Sequence, residues 1–185
     1  KALLGEKFKE LVAKKGFEKL TIKMITDAAG VIRPTFYNYF QDKYEVMEWL
    51  LWEDVFKEVS ELMEQERGME SLKLLFRKFE EDKTYYEKVF EVTGQNSFEE
   101  MLYGQIFNME EILVKHHPLK HLSNMPHVDE KVFLEFHAIS LVNGLKYWLI
   151  RESKNISAGD AMEFYQYMMS HSILDLLDIE NTEKK

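Results

Sequence analysis

The sequence contains no cysteine, which excludes disulfides and thiolate metal sites and is consistent with a reducing cytoplasm. It also lacks a long uninterrupted apolar run, because its most apolar region, residues 132–150, contains Glu135, His137, Asn143 and Lys146. We therefore expect no membrane span, and the first residues show no signal-peptide pattern. Strand patterns, internal repeats and low-complexity tracts are missing as well, so helical periodicity is the main signal of structure.

Positive charge is scarce, since the formal net charge is −9 over 185 residues. The deficit is uneven: residues 1–50 carry nine Lys and Arg against seven Asp and Glu, whereas residues 51–185 carry fifteen against twenty-six. The first fifty residues are therefore the part of the chain suited to approach a phosphate backbone. The hydrophobic fraction of 45% is enough for one compact domain or for two small domains that share a core.

Residues 21–43 predict two short helices joined by a tight turn, followed by the start of a third helix. Thr21 can cap the first helix through its hydroxyl, and Gly30 is the residue type that ends a helix in the left-handed conformation. Phe36 and Phe40, four residues apart, place one face of the second helix in the core. A plain helical hairpin is the alternative, but this pattern is typical of a helix-turn-helix, whose second helix enters a DNA major groove.

Apolar periodicity and capping residues predict the other helices. They cover residues 2–15, a long helix from Asp42 to near Gly68, and then residues 70–82, 85–93, 97–116, 129–153 and 158–178. Pro118 and Pro126 bracket a loop at 117–128. We therefore predict an all-α chain of about nine helices. A DNA-binding domain at 1–48 is joined by the long helix to a body at 49–178, and a polar tail follows at 179–185.

The run T-I-K-M-I-T-D-A-A-G-V-I-R-P-T-F-Y-N-Y-F-x-x-K resembles the DNA-binding signature of TetR/AcrR-family transcriptional regulators. Its Thr, Ala-Gly-Val, Thr-Phe-Tyr, Tyr-Phe and Lys stand in the family's order and spacing. The resemblance covers residues 1 to about 48, and beyond residue 50 only the helical layout is similar. One position departs from the pattern, because Ile32 replaces the small hydroxyl residue that usually caps the recognition helix.

The outward-facing residues of this motif are the predicted DNA contacts. Asn38 carries an amide that can pair with adenine, and Arg33 a guanidinium that can pair with guanine. The resemblance implies that Tyr37 and Lys43 hold phosphates, contacts that position the helix without reading sequence. The complete predicted set is Thr21, Lys23, Arg33, Pro34, Thr35, Tyr37, Asn38, Tyr39 and Lys43.

The resemblance further implies a cavity in the body for a small apolar or aromatic effector, which moves the long helix when it binds. The candidate lining residues are Trp52, Phe56, Phe76, Phe90, Tyr103, Phe107, His137 and Tyr147. A filled core is the alternative for each of them.

The last two helices are the expected homodimer surface, with ordinary intrachain core as the alternative. One short helix reads only a few base pairs, whereas a two-fold pair places two such helices ~34 Å apart, one DNA turn, on a palindromic operator. The candidate interface residues are Trp148, Phe164, Met168, Ile173 and Leu176.

Two other patterns suggest chemistry but do not complete a site. Four histidines invite a metal interpretation: His116, His117, His121 and His127. Pro118 breaks the helix that the spacing of His117 and His121 would need. Ser170-His171-Ser172 lacks a spaced acid and a nucleophile elbow. We therefore predict no metal, no cofactor and no enzymatic activity.

Together these patterns predict a TetR-like regulator that binds double-stranded DNA as a homodimer. Repression released by a small-molecule effector is the expected mode. The alternative keeps the DNA-binding motif but places the body under the control of a partner protein of co-activator or co-repressor type. A large aromatic cavity would favour the first, and a closed core with an exposed apolar groove the second.

Overall fold

The computed structural model describes residues 1–117, 119, 128–152 and 154–176, and within these ranges it contains helices and turns but no strands. The α-helices are α1 Ala2–Lys15, α2 Ile22–Ala29, α3 Arg33–Tyr37, α4 Lys43–Leu51, α5 Lys57–Glu64, α6 Gly68–Glu81, α7 Lys83–Val89, α8 Phe98–His116, α9 Glu130–Tyr147 and α10 Ala158–Ser170. A π-helical segment, Trp52–Phe56, joins α4 and α5 into one continuous helix. Counted this way, the described part of the chain has nine helices, which confirms the all-α prediction.

Side chains cap several helices where the sequence predicts a start. Thr21 Oγ1 accepts a hydrogen bond from the backbone N–H of Met24 at 3.3 Å, and Asp42 Oδ1 accepts from the N–H of Tyr44 at 2.8 Å. Ser97 Oγ does the same at the start of α8. These oxygens satisfy N–H groups that have no partner inside their own helix. Helix starts were therefore readable from local sequence.

The carboxyl-terminal helix is shorter than predicted. It ends at Ser170 instead of residue 178, and a 3₁₀ turn, Ile173–Leu176, follows it. Ser170 Oγ donates to the carbonyl of Gln166, and Asp175 Oδ2 accepts from both the N–H and the hydroxyl of Ser172. These side chains offer the backbone partners other than the next helical turn, which ends the helix. The predicted tail 179–185 and most of the predicted loop 117–128 lie outside the described residues.

Helices α1 to α4 form a compact unit, called the head below. Phe8, Ile25, Phe36 and Phe40 are each almost completely buried between them. Helix α1 approaches α4 very closely at Gly5, where a Cβ atom would lie 2.6 Å from a ring carbon of Trp49. This contact lets α1 lie directly against the long helix.

Helices α5 to α10 form the second unit, called the body below. Helix α6 packs against α5 and α10, and α8 packs against α9. A cluster of aromatic rings fills its centre, with Phe79 and Tyr86 at a ring distance of 4.3 Å and Phe90 and Phe98 at 4.8 Å. The continuous α4–α5 helix belongs to both units and therefore connects them mechanically. None of the helices within the described ranges is both long and apolar enough to cross a bilayer.

Candidate functional site

Helix α3 divides its side chains between the core and solvent. Phe36 and Phe40 anchor it, with ring centroids 5.7 Å apart, and both are buried. Arg33, Tyr37 and Asn38 are exposed on the other side, and Arg33 Nη2 donates to Tyr37 Oη at 3.3 Å. The helix is one turn long, but hydrogen bonds from the N–H groups of Asn38, Tyr39 and Phe40 continue its turn to Phe40. The result is a short, firmly anchored helix with a free outer face.

Other predicted DNA contacts lie around this face. Pro34 and Tyr39 are exposed and Thr35 is half-buried. Ile32, at the N-cap of α3, makes no side-chain cap and is 70% exposed, as its sequence departure predicted. The contact surface of α3 therefore carries a large apolar group where the family pattern has a hydroxyl.

The turn between α2 and α3 follows from glycine geometry. Gly30 has φ 65°, in the left-handed region that other residues avoid. Its N–H donates to the carbonyl of Asp27, and the N–H of Val31 donates to the carbonyl of Thr26 at 3.0 Å. The chain can then turn sharply enough to bring α3 across α2 in a helix-turn-helix.

Two more of the predicted DNA contacts, Thr21 and Lys23, are exposed at the start of α2. Thr21 is occupied as a cap acceptor, but its hydroxyl proton can still be donated to a phosphate. Lys23 Nζ lies 2.5 Å from Asp27 Oδ2, and both side chains are largely exposed. A phosphate must therefore compete with Asp27 for this ammonium group.

In the structure Lys43 contacts its own chain, and its phosphate contact stays a prediction. Its Nζ donates to the carbonyl of Phe17 at 3.0 Å and lies 3.5 Å from those of Glu18 and Leu20. It also sits 4.3 Å from the centre of the Phe17 ring. An ammonium group has three donors, and the connection between α1 and α2 offers carbonyls with no helical partner. Lys43 therefore braces the head from inside.

The body contains a cavity of about 300 Å³ between α5, α6, α8 and α9. Its walls are mainly apolar, and each helix contributes side chains to them, such as Met63 from α5, Leu75 from α6, Leu113 from α8 and Leu141 from α9. A second hollow of about 340 Å³ shares Met63, Met109 and Leu113 with it, so flexible methionine side chains stand in both walls.

One polar pair lies in the wall of this cavity. Glu110 Oε1 is 2.6 Å from His137 Nδ1, which donates to it, and His137 Nε2 is 3.5 Å from Tyr165 Oη. The hydrogen bond to Glu110 raises the pKa of His137 against the opposing effect of burial. Burial raises the pKa of Tyr165, so its hydroxyl keeps its proton at neutral pH. The cavity therefore has an apolar body and one polar end.

Of the eight predicted ligand residues, His137 alone lines this cavity. The others fall into three groups. Phe56, Phe76 and Phe90 are buried core, Trp52 and Tyr147 are exposed, and Tyr103 and Phe107 stack on each other at 5.9 Å. None of the seven lines this cavity, because the three buried rings fill the core and the two exposed rings lie at the surface.

Sequence reasoning missed Glu110, although a signal for it was present. Ile106, Glu110 and Val114 are spaced four apart on α8, and the two apolar members are buried. A carboxylate in such a row must face inward. The row therefore identifies Glu110 as the residue in α8 that needs a polar or functional explanation.

Two family models match the chain. The model of bacterial regulatory proteins, tetR family, matches residues 9–49, and a model of a transcriptional regulator C-terminal region matches residues 66–169. The chain belongs to the TetR family of transcriptional regulators. Its members regulate transcription and are not enzymes, which confirms the prediction of no enzymatic activity.

Individual TetR-family relatives agree with this assignment. The transcriptional activator of the dhaKLM operon, DhaS, from Lactococcus lactis subsp. lactis (strain IL1403) is 27% identical over 88 residues, 48% of this chain and 47% of DhaS. The alignment thus spans about half the length of that curated relative.

Solved structures show the same TetR-type fold over nearly the whole chain. A structure of the dihydroxyacetone kinase operon activator DhaS has a TM-score of 0.60 at 22% identity and covers 91% of both chains. A protein assigned to the TetR family from Syntrophomonas wolfei str. Goettingen has a TM-score of 0.67 at 21% identity over 97% of both. The repressor FadR of Thermus thermophilus, solved with lauroyl-CoA, has a TM-score of 0.56 at 18% identity and covers 100% of this chain and 98% of its own.

In this TetR-type fold, three of the five predicted dimer residues lie at the surface. Phe164 is 58% exposed on α10, and Met168 and Ile173 are also exposed. The side chain of Leu176 is not among those that the structure describes. Trp148 is corrected, because it is 4% exposed and its indole N–H donates to the carbonyl of Ile156 in the same chain at 2.9 Å. It packs on the ring of Phe76 and belongs to the core.

Sequence reasoning missed part of this exposed surface. Phe136, Ile139, Tyr147 and Ile150 are exposed, and their spacing places them on one side of α9 and its π-helical extension, Trp148–Glu152. We call these four residues, together with Phe164, Met168 and Ile173, the apolar face. Helix α9 is apolar nearly all round in sequence, so periodicity could not separate this side from the core side.

The remaining candidate clusters are local contacts. His117 Nε2 lies 3.6 Å from Glu66 Oε1, His116 is exposed, and His121 and His127 fall outside the described residues. Within the described ranges no group of three or more possible metal ligands comes together. Ser170 Oγ is 2.9 Å from His171 Nδ1 at the exposed end of α10, where both also contact the carbonyl of Tyr167.

Proposed function

We propose that this TetR-family regulator binds a palindromic operator as a homodimer through α3, and that a small molecule in the body cavity controls this binding. The observation that carries the proposal is the division of α3, in which Phe36 and Phe40 are buried while Arg33, Tyr37 and Asn38 are exposed. Helices with this division, at the second position of a helix-turn-helix, are built to enter a major groove.

Each free residue has a distinct role in this proposal. The Arg33 guanidinium pairs with O6 and N7 of guanine, and the Asn38 amide pairs with N6 and N7 of adenine. Tyr37 accepts a long hydrogen bond from Arg33 and keeps its own hydroxyl proton for donation to a phosphate. Arg33 and Asn38 therefore set the sequence preference, and Tyr37 sets the overall affinity.

The apolar face supports dimerisation. Rings and aliphatic side chains on α9, on α10 and in the turn after it, such as those of Phe136, Phe164 and Ile173, would be exposed to water in a monomer. A second copy that covers it through a two-fold axis would present two α3 helices to one duplex. The acidic body would meanwhile be kept away from the DNA by charge repulsion.

The continuous α4–α5 helix supports coupling between cavity and DNA. Met47 and Leu50 of α4 are buried in the head, while Val59 and Met63 of α5 line the cavity. The π-helical segment Trp52–Phe56 lies between them, where hydrogen bonds can change register at modest cost. An effector that prefers one position of α5 then shifts the spacing of the two α3 helices.

We propose repression as the output, as in FadR, with the effector releasing the operator. Activation is the second candidate, favoured by the similarity to the activator DhaS over 88 residues. In that case the apolar face, or the hollow beside His116, receives a partner protein instead of a second copy. Light scattering distinguishes these two roles of the apolar face. The purified protein should have the mass of a dimer if a second copy covers the face, and that of a monomer if a partner protein does.

Selection of bound sequences from random duplexes tests the proposed DNA contacts. Asn38→Ala should relax the preference at one base pair per half-site, whereas Tyr37→Ala should weaken binding to all sequences alike. Unchanged preference in the first variant, or a base-specific loss in the second, would remove that residue from its role.

Light scattering tests the proposed dimer. Met168→Glu on the apolar face should give monomers, because a charge at a buried interface stays unpaired. Leu3→Glu is the matched control, since Leu3 is an exposed apolar residue of α1 in the head. Dimers that persist in Met168→Glu would place the interface elsewhere.

A further inference from the structure

The cavity wall contains a buried carboxylate oxygen without a partner. Glu110 is 7% exposed, and its Oε1 accepts from His137. Its Oε2 is buried and forms no hydrogen bond with any described residue. Buried acceptors are satisfied in almost all native proteins, so an exception asks for an explanation at that site. Because Glu110 lines the cavity, a molecule inside it can supply the missing donor.

His137 is held by its own chain and does not offer a strong second contact to a ligand. Its Nδ1 donates to Glu110, its Nε2 faces Tyr165 Oη, and its ring stacks on that of Phe133 at 6.3 Å. This arrangement orients the carboxylate and leaves Oε2 as the free polar atom. The polar end of the cavity is therefore an acceptor.

The remaining walls define the rest of the ligand. Side chains such as Val59, Leu75 and Leu134 surround the cavity, and a volume of about 300 Å³ is at the small end for ligand sites. A ligand carboxylate or phosphate would bring a second negative charge against Glu110, which is unfavourable in an apolar surrounding.

We propose that the effector is a small, mainly apolar molecule with one hydrogen-bond donor, a hydroxyl or a primary amine, which binds Oε2 of Glu110. This inference rests on the proposed function, because it names the chemistry of the molecule that controls it. It also predicts that fatty acid anions do not bind in this cavity.

Titration calorimetry with four six-carbon probes tests the donor on the unmodified protein. The probes are 1-hexanol, its isomer 1-methoxypentane, hexylamine and hexanoate. We expect saturable binding of the alcohol or the amine, at least tenfold weaker binding of the ether, and no binding of hexanoate. Equal affinity for alcohol and ether, tightest binding of hexanoate, or no binding of any probe up to millimolar concentration would overturn the proposal.

The same titrations distinguish the two donor types. Tighter binding of hexylamine would show that the donor of the ligand is a cation paired with the Glu110 carboxylate, and tighter binding of hexanol that it is a neutral hydroxyl. Glu110→Gln should lower the affinity for the preferred probe at least tenfold, whereas Glu111→Gln, one residue along α8 and outside the cavity wall, should not. Unchanged affinity in a folded Glu110→Gln protein would contradict the assignment of Oε2.

Operator binding, measured by fluorescence anisotropy in the same samples, separates this inference from the proposed function. If the probe binds and DNA affinity does not change, the ligand class stands and effector control fails. If no operator is bound under any condition, the proposed function fails, whereas the calorimetry still decides the ligand class.

Discussion

Replacing Lys9 with methionine removes an ionic contact between head and body. Lys9 Nζ, on α1, lies 2.9 Å from Asp54 Oδ2 in the π-helical segment and 2.5 Å from Asp82 Oδ2 between α6 and α7. Burial works against the ammonium group, but the hydrogen bonds to Asp82 and Asp54 outweigh it and raise the pKa of Lys9. One side chain thus ties three segments together at the joint between the two units.

The expected cost follows from the burial of the three groups. Their side chains are 24%, 32% and 41% exposed, so solvent screens part of the attraction. Exposed pairs contribute ~0.2–1 kcal/mol each, whereas breaking a fully buried pair costs ~3–5 kcal/mol. Lys9→Met also leaves Asp54 and Asp82 facing each other without a cation. We therefore expect a loss of about 1–2 kcal/mol in the free energy of unfolding.

Urea unfolding at low and high salt measures this loss. Lys14→Met is the matched control, because Lys14 is exposed in the last turn of the same helix. The loss in Lys9→Met should shrink at high salt and should be smaller when Asp54→Asn is already present. If Lys9→Met and Lys14→Met unfold at the same urea concentration, the contact does not stabilise the joint and the reasoning is refuted.

Three further features are tested by substitution. Gly5→Ala should lower the free energy of unfolding in urea by about 0–2 kcal/mol, because the clash with the Trp49 indole costs ~1–3 kcal/mol and the better helix propensity of alanine returns ~1 kcal/mol. At Gly104 an added Cβ meets nothing within 4 Å, so Gly104→Ala should raise the free energy of unfolding. Tyr85→Phe removes a buried hydroxyl with no hydrogen bond to the described chain, so calorimetry should show equal or higher stability, and a large loss would reveal a partner. Glu110 raises the pKa of His137, so the pair's contribution is complete below the unfolded pKa of about 6.5 and is lost as pH rises through the folded value. The stability difference between wild type and His137→Gln should therefore be larger at acidic than at alkaline pH.

The head could be predicted from the sequence because its signals are local. A hydroxyl at Thr21, a glycine at Gly30 and two phenylalanines four apart each act within a few residues, and the structure has the expected geometry at each of them. The intrachain contacts of Lys43 could not be predicted, because its partners are carbonyls of residues 17–20, more than twenty positions away. No local pattern reports such a contact.

The body was predicted in outline but not in its details. Trp148 and Tyr147 are adjacent in an apolar stretch, yet the first is buried and the second is 60% exposed. Periodicity does not distinguish an apolar face that packs inside the chain from an apolar face of the same helix that a partner would cover. Glu110 shows the opposite case, since it is one of four glutamates in α8 and differs from the others only once its neighbours in the same row are known to be buried.

The division of α3 also bears on how such a regulator acquires new targets. Its stability depends on Phe36 and Phe40, while Arg33, Asn38 and Tyr39 contribute little to the packed interior. We therefore expect exchanges at these three positions to leave the protein folded, so that the sequence preference proposed for α3 can change without loss of the fold.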